Sequence, residues 1–234
     1  MELRVIGCDG TYPSANGACS GYLVKAGGTR VLLDCGSGVL SKLMALMDPA
    51  DLDALVLTHW HNDHASDLLV LRYYLQLQRR KLQVYAPVEK HPLMALCEGS
   101  EYVLHDIREV QEIGALRVNV QRTGHPVPCY AVRLEHQGAS LVYTGDTNRW
   151  EPLIDFCQDA DALICDATFY QDAWNENLPH LTAAQAAMLG REAKVGRVIL
   201  THFQPDSDAQ SLLAEAKKVY KACEPALPGV WQKL

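Results

Sequence analysis

No apolar run reaches the roughly 18 residues that a bilayer-spanning helix needs, so no transmembrane segment is expected. The opening MELRVIGCDG lacks a basic region followed by an apolar stretch, so no secretory leader is expected either. None of the eight cysteines (Cys8, Cys19, Cys35, Cys97, Cys129, Cys157, Cys165, Cys223) forms a C-x-x-C pair, and several sit inside apolar, strand-like runs. That disfavours a disulfide framework and predicts small buried thiols in a reducing, cytoplasmic setting. Positive charge is in short supply: 21 Lys and Arg stand against 28 Asp and Glu, for a net charge of -7. That argues against a broad basic face for duplex nucleic acid. A small anionic substrate is not, because bound metal cations would dominate the local field. Repeats and low-complexity segments are absent. A single domain over residues 1–234 is expected, long enough for a sizeable core.

What is present concentrates in residues 54–64, ALVLTHWHNDH. Ala54 to Leu57 is a short apolar run that reads as a buried strand. Alternation at its end aims His59 and His61 to one side, and Asp63 and His64 follow in the turn. Imidazole and carboxylate suit zinc, iron or manganese. Such groups converge only for a strong reason, since unpaired buried charge is very costly.

The rest of the chain repeats one arrangement, a polar group at the end of an apolar strand. Asp34 ends a strand from Thr29; it reads either as a carboxylate orienting a ligand histidine or as a turn-forming Asp before Gly. His125 lies between two strands, flanked by Gly124 and Pro126. Asp146 follows Gly145 in a sharp turn, where it either bridges two cations or caps the turn. His202 closes the strand from Arg197. His180 lies two residues before Thr182, which is expected to cap a helix from Ala183 to Ala193. His91, His105 and His136 lack ligand neighbours and read as ordinary surface or core residues. Strands come first, and helices then recur between strands in each half. This predicts an α/β protein of two mixed sheets packed face to face with helices outside.

The H-x-H-x-D-H stretch, followed by a lone His, an Asp and a final His, resembles the metallo-β-lactamase superfamily over almost the whole chain. PSANGACSGYLV, VLLDCGSG, TGDT, DATF and HLTAAQAA leading into VILTHF resemble its ribonuclease Z and cyclic phosphodiesterase branch. The resemblance implies a four-layer αββα sandwich and two divalent ions, zinc first, with manganese or iron as alternatives. It assigns one ion to His59, His61 and His125 and the other to Asp63, His64 and His202, with Asp146 bridging. It also makes His180 the general acid. Asp166, in the place of a Glu in the branch's E-A-T motif, is the residue that would orient His180, although it is one methylene shorter. Asp63 would assist water deprotonation while ligating. Trp60 and Asn62, the latter where the branch has Gly, are expected to reshape the pocket entrance.

Two cations about 3.5–4 Å apart hold a bridging hydroxide at neutral pH and clamp the oxygens of an in-line displacement. The expected activity is hydrolysis of a small phosphodiester, such as a cyclic nucleotide or short oligonucleotide. The Gly/Pro-rich arm with which ribonuclease Z holds tRNA has no counterpart here, so tRNA is not an expected partner; a homodimer through the helix from Asp67 to Arg80 is. The competing readings are a thioesterase or lactonase on the same scaffold, a ribonuclease Z-like RNA endonuclease, and a partner protein that retains metals without catalysis.

Overall fold

The computed structural model describes residues 1–99 and 101–234. Its first sheet takes six strands from the N-terminal half: β1 Glu2–Gly7, β2 Gly21–Ala26, β3 Thr29–Leu33, β4 Ala54–Val56, β5 Leu82–Ala86 and β6 Tyr102–Asp106. The second takes β7 Glu112–Ile113, β8 Leu116–Arg122, β9 Tyr130–His136, β10 Ala139–Tyr143, β11 Ala162–Asp166, β12 Arg197–Thr201 and β13 Cys223–Pro225. The last strand, β14 Trp231–Lys233, returns to pair with β1. The helices are α1 Val39–Met44, α2 Asn62–Ala65, α3 Leu68–Gln78, α4 Pro92–Cys97, α5 Ile154–Cys157, α6 Ala183–Glu192 and α7 Ala209–Val219.

Both sheets are mixed, and each changes direction at the same kind of place. A two-residue turn joins β2 to β3 through Gly27 and Gly28, with φ of 55° and 87°. Another joins β9 to β10 through Gln137 and Gly138, with φ of 49° and 86°. Positive φ at both turn positions matches the right-handed twist of the flanking strands. Beyond each hairpin the pairing turns parallel, through β3–β4–β5–β6 in one sheet and β10–β11–β12–β13 in the other. Parallel strands need crossovers, and the helices supply them.

Side-chain alternation decides the layers. Tyr22 and Val24 on β2, and Val31 and Leu33 on β3, face Val132, Leu134 and Val142 of the other sheet. Their neighbours Leu23 and Leu32 face outward onto Leu40, Leu43, Leu68, Leu71 and Leu75 of α1 and α3. The result is the expected sandwich of two mixed sheets flanked by helices. Among the described residues, no helix is long and apolar enough to cross a membrane.

Some boundaries differ from the sequence reading. β4 stops at Val56, so strand alternation does not aim His59 and His61. His61 instead caps α2, which carries Asp63 and His64 on its single turn. α7 ends at Val219, and β13 follows. That short strand contains Pro225, which is tolerated because β13 is a sheet edge.

Candidate metal centre and active site

The candidate ligands lie shortly beyond the carboxyl ends of β4, β8, β10 and β12, and the two sheets bring those ends together. One group comprises His59, His61, His125 and Asp146, and another Asp63, His64 and His202. His61 Nδ1 lies 3.1 Å from both His59 Nε2 and His125 Nε2. Asp146 Oδ2 lies 3.4 Å from His59 Nε2 and 3.8 Å from His125 Nε2. Its other oxygen, Oδ1, lies 3.2 Å from His64 Nε2 and 3.5 Å from His202 Nε2. Asp63 Oδ2 completes that side, 3.1 Å from His202 Nε2 and 3.7 Å from His64 Nε2. A tetrahedral ion with bonds of about 2.0–2.1 Å separates its donor atoms by roughly 3.4 Å. Both groups match that spacing, and the two oxygens of Asp146 face one group each.

The far nitrogens show which tautomer each ring holds. His64 Nδ1–H donates to Asp34 Oδ2 at 2.7 Å. His202 Nδ1–H donates to Thr168 Oγ1 at 2.8 Å, whose own hydroxyl donates to Asp166 Oδ1 at 2.7 Å. His59 Nδ1–H donates to Thr58 Oγ1 at 3.0 Å, and Thr58 in turn donates to Asp34 Oδ2 at 2.9 Å. His125 Nδ1–H donates to the Pro179 carbonyl at 3.2 Å. Each of these four rings therefore turns an Nε2 lone pair inward. His64 Nε2 and Asp146 Oδ1 are buried without a hydrogen-bond partner. Orphaned donors of this kind carry a free-energy cost that a bound cation removes. The donor set thus fits a pair of divalent ions.

Electrostatics agree. Burial, and then the nearby His64, push His59 down to about 4. Burial also lowers His61 and His125, so these rings are neutral ligands near pH 7. Burial works to raise Asp63 and Asp146, but the surrounding histidines outweigh it and hold both carboxylates ionised. Burial would lower His64, but Asp146, Asp63 and Asp34 overcome it and raise it well above its ordinary value; these carboxylates favour a positive charge at Nε2, which a bound cation would supply in place of a ring proton.

His180 belongs to neither of these two groups but lies against both, its ring centroid 4.6 Å from that of His202 and 5.5 Å from that of His125. Its Nδ1 lies 2.9 Å from Asp166 Oδ2 and 3.8 Å from Asp146 Oδ2. The shorter Asp side chain therefore reaches the ring. Burial lowers the His180 pKa, but Asp166 and then Asp146 override it and push the ring up to about 9. Asp166, His180, Asp146 and His202 also lie close enough to form a ligand group of their own. The Asp166 oxygens are already committed, however. Oδ1 accepts from Thr168 N and Oγ1, and Oδ2 from Thr147 N and His180. A carboxylate so saturated orients a neighbour rather than binding an ion.

One expectation changes, and one open alternative closes. Trp60 does not shape an entrance: it is 0% exposed, donating from Nε1 to the Pro87 carbonyl and stacked on His91. Asp34 is more than a turn residue, since it holds His64, Thr58 and, at 2.8 Å, the Tyr143 hydroxyl. Thr168 and the Thr11 N–H, which donates to Asp63 Oδ2 at 2.7 Å, were not read from the sequence. Thr58 had a signal in the repeated Leu-Thr-His of residues 57–59 and 200–202, and Thr168 had one as the third residue of the DATF stretch, although neither threonine's role was read from it. His91 caps α4 and His105 binds Gln83, as ordinary residues do.

Known proteins resemble this chain in sequence and in fold. The probable metallo-hydrolase YhfI of Bacillus subtilis is 34% identical over 229 residues, covering 94% of each chain. Its crystal structure superposes with a TM-score of 0.93 at 32% identity, covering 99% of this chain and 98% of that one. Ribonuclease Z of Archaeoglobus fulgidus is 29% identical, with 94% of each chain covered. The short form of human tRNase Z shares the fold, with a TM-score of 0.82 at 21% identity, covering 100% of this chain and 99% of that one. The beta-lactamase superfamily domain model matches residues 29–203, from β3 through the strand end bearing His202, and the chain belongs to that superfamily as a metal-dependent hydrolase.

Proposed function

We propose that this protein is a dinuclear phosphodiesterase acting on a small phosphodiester, such as a cyclic nucleotide or short oligonucleotide. The observation that carries the reading is the Asp166–His180 pair, 2.9 Å apart and outside both ligand groups. When bound, a pair of divalent ions supplies a nucleophile from water at neutral pH and neutralises charge building on the phosphoryl oxygens. His59, His61 and His125 hold one ion, and Asp63, His64 and His202 the other, with Asp146 shared. Zinc suits these donors first, and manganese or iron also match them. Asp63 assists in taking the proton from water. Asp166 keeps the His180 Nδ1 proton in place, so that Nε2 faces the leaving group and delivers a proton to it. An alkoxide leaving from a phosphodiester needs that proton, whereas a thiolate leaving from a thioester does not.

Pre-tRNA is not part of the proposal. The chain from His64 to His125 is occupied by α3 to α4 and β5 to β8, no basic Gly-rich insertion separates Asp146 from His202, and the net charge is -7. Eight free, buried thiols support a cytoplasmic setting. Val70, Tyr73 and Leu77, exposed along one face of α3, support a homodimer, which sedimentation of wild type against Leu77→Glu would test.

The decisive experiment is metal analysis followed by a phosphodiester and thioester panel with His180→Ala. The expected result is two ions per chain, with a loss of about 10²–10⁴-fold on alkyl phosphodiesters and little change on bis(p-nitrophenyl) phosphate, whose leaving group needs no acid. Thioester or lactone turnover indifferent to His180→Ala would move the assignment to that chemistry. Robust cleavage of pre-tRNA would move it to an RNA endonuclease. Failure of the whole panel with both ions loaded would leave a non-catalytic partner.

A further inference from the structure

The strand end that carries Asp146 continues into a loop that the hydrolytic chemistry does not use. A cleft of about 430 Å³ opens there. Arg149, Trp150 and Glu151 line one side, and Trp174, Glu176 and Gln185 the other. Its size falls in the range of small-molecule sites. Its walls belong to the segments that hold the candidate site. Asn148 N donates to the Gly124 carbonyl at 2.8 Å, beside His125. Trp174 Nε1–H donates to the His180 carbonyl at 2.9 Å. His125 itself is tied to Pro179, in the loop that bears Trp174.

Tryptophan is scarce, with four in the chain. Trp60 lies in the core, and Trp231 lies on edge strand β14 beneath the cations of Arg4 and Lys25. The other two both line this cleft, each half-buried. The indole N–H of Trp174 is already spent on His180, which leaves the ring face as its means of recognition. Two carboxylates against one guanidinium make the cleft unsuited to a second phosphate. They suit a neutral, flat ring with hydrogen-bond donors on its edge, such as the exocyclic amine of a purine.

We infer that the Trp150–Trp174 cleft is the subsite for the base of a nucleoside phosphodiester, whose phosphate lies at the adjacent ligand groups. The inference rests on the phosphodiester reading above and narrows its substrate to nucleosides. Stacking on an aromatic face favours a base by roughly tenfold to a hundredfold.

The metal-loaded enzyme is assayed on adenosine 3′,5′-cyclic phosphate and on the ribose cyclic phosphate that lacks the base. Wild type prefers the base-carrying substrate by at least tenfold in kcat/KM, through KM. Trp150→Ala and Trp174→Ala lose that preference, while Trp150→Phe and Trp174→Phe, which keep an aromatic face, retain it. Equal kcat/KM on the two substrates in wild type, or a preference that survives both alanine variants, overturns the inference. If neither compound is turned over, the phosphodiester reading is decided by the wider panel above, and titration with adenosine decides the cleft separately. Saturable quenching of tryptophan fluorescence that both alanine variants weaken sustains it. Absence of quenching overturns it.

Discussion

Asp34 turns the chain after β3 with φ at 57°, a conformation that costs a non-glycine residue free energy. It is held there by what it accepts: the ring N–H of His64, the backbone and hydroxyl of Thr58, and the hydroxyl of Tyr143. Through those bonds one buried carboxylate orients His64 directly and His59 by way of Thr58. Asp34→Asn places an amide where a charged acceptor held the His64 proton. Metal affinity is expected to fall by about 10–100-fold, as read by competition with a chromogenic chelator. Unchanged affinity would mean that His64 is oriented by the fold without Asp34. His202 is the counterpart on the other sheet, with φ at 62° and its ring fixed by Thr168.

At the scale of elements, two short connections set the geometry. α2 is one turn long, yet it carries Asp63 and His64, and it sits against the loop after β3. A Cβ at Gly36 would stand 1.9 Å from the Asp63 carbonyl oxygen, a backbone atom that cannot move without moving α2. Gly36→Ala is therefore expected to displace Asp63 and His64 and leave His59, His61 and His125 in place. Calorimetric titration should then show one tight ion per chain instead of two; retention of both would show that the loop yields instead. α6 begins with a full capping box between Thr182 and Gln185, two residues after His180. Thr182→Ala should cost about 0.5–2 kcal/mol in denaturant unfolding. It should also lower kcat on an alkyl phosphodiester through looser placement of His180, with metal content unchanged by atomic absorption.

For the molecule as a whole, the eight thiols are free and buried. Burial pushes Cys8, Cys19, Cys129 and Cys157 up to about 12, and Cys97 and Cys223 up to about 11. An unfolded thiol titrates near 9.0, so the native state holds these protons more tightly than the unfolded chain does. The resulting stability is fully present below pH 9 and is lost as the pH rises through 11 to 12. The urea midpoint is expected to stay level between pH 7 and 8.5 and to fall between pH 9 and 11. A thiol reagent at pH 8 should find few groups in the native protein and eight in urea. A full native titre would show that the sandwich opens far more readily than its core implies.

The ligand types and their order were readable in the chain. His59 to His64 are contiguous, and His125, Asp146 and His202 each follow an apolar strand, a pattern that local spacing preserves. The cap of α6 was equally local, because cap chemistry acts over three or four residues. Long-range contacts were not readable. That Asp166 reaches His180 despite its missing methylene, that Thr168 fixes His202, and that Trp60 is buried behind the site depend on how two sheets stack. Sequence order names the residues at the strand ends. Only the packing of one sheet on the other decides that five imidazoles and two carboxylates meet within ångströms of each other. The physical reason is that buried lone pairs are costly apart and, around cations, stabilising together.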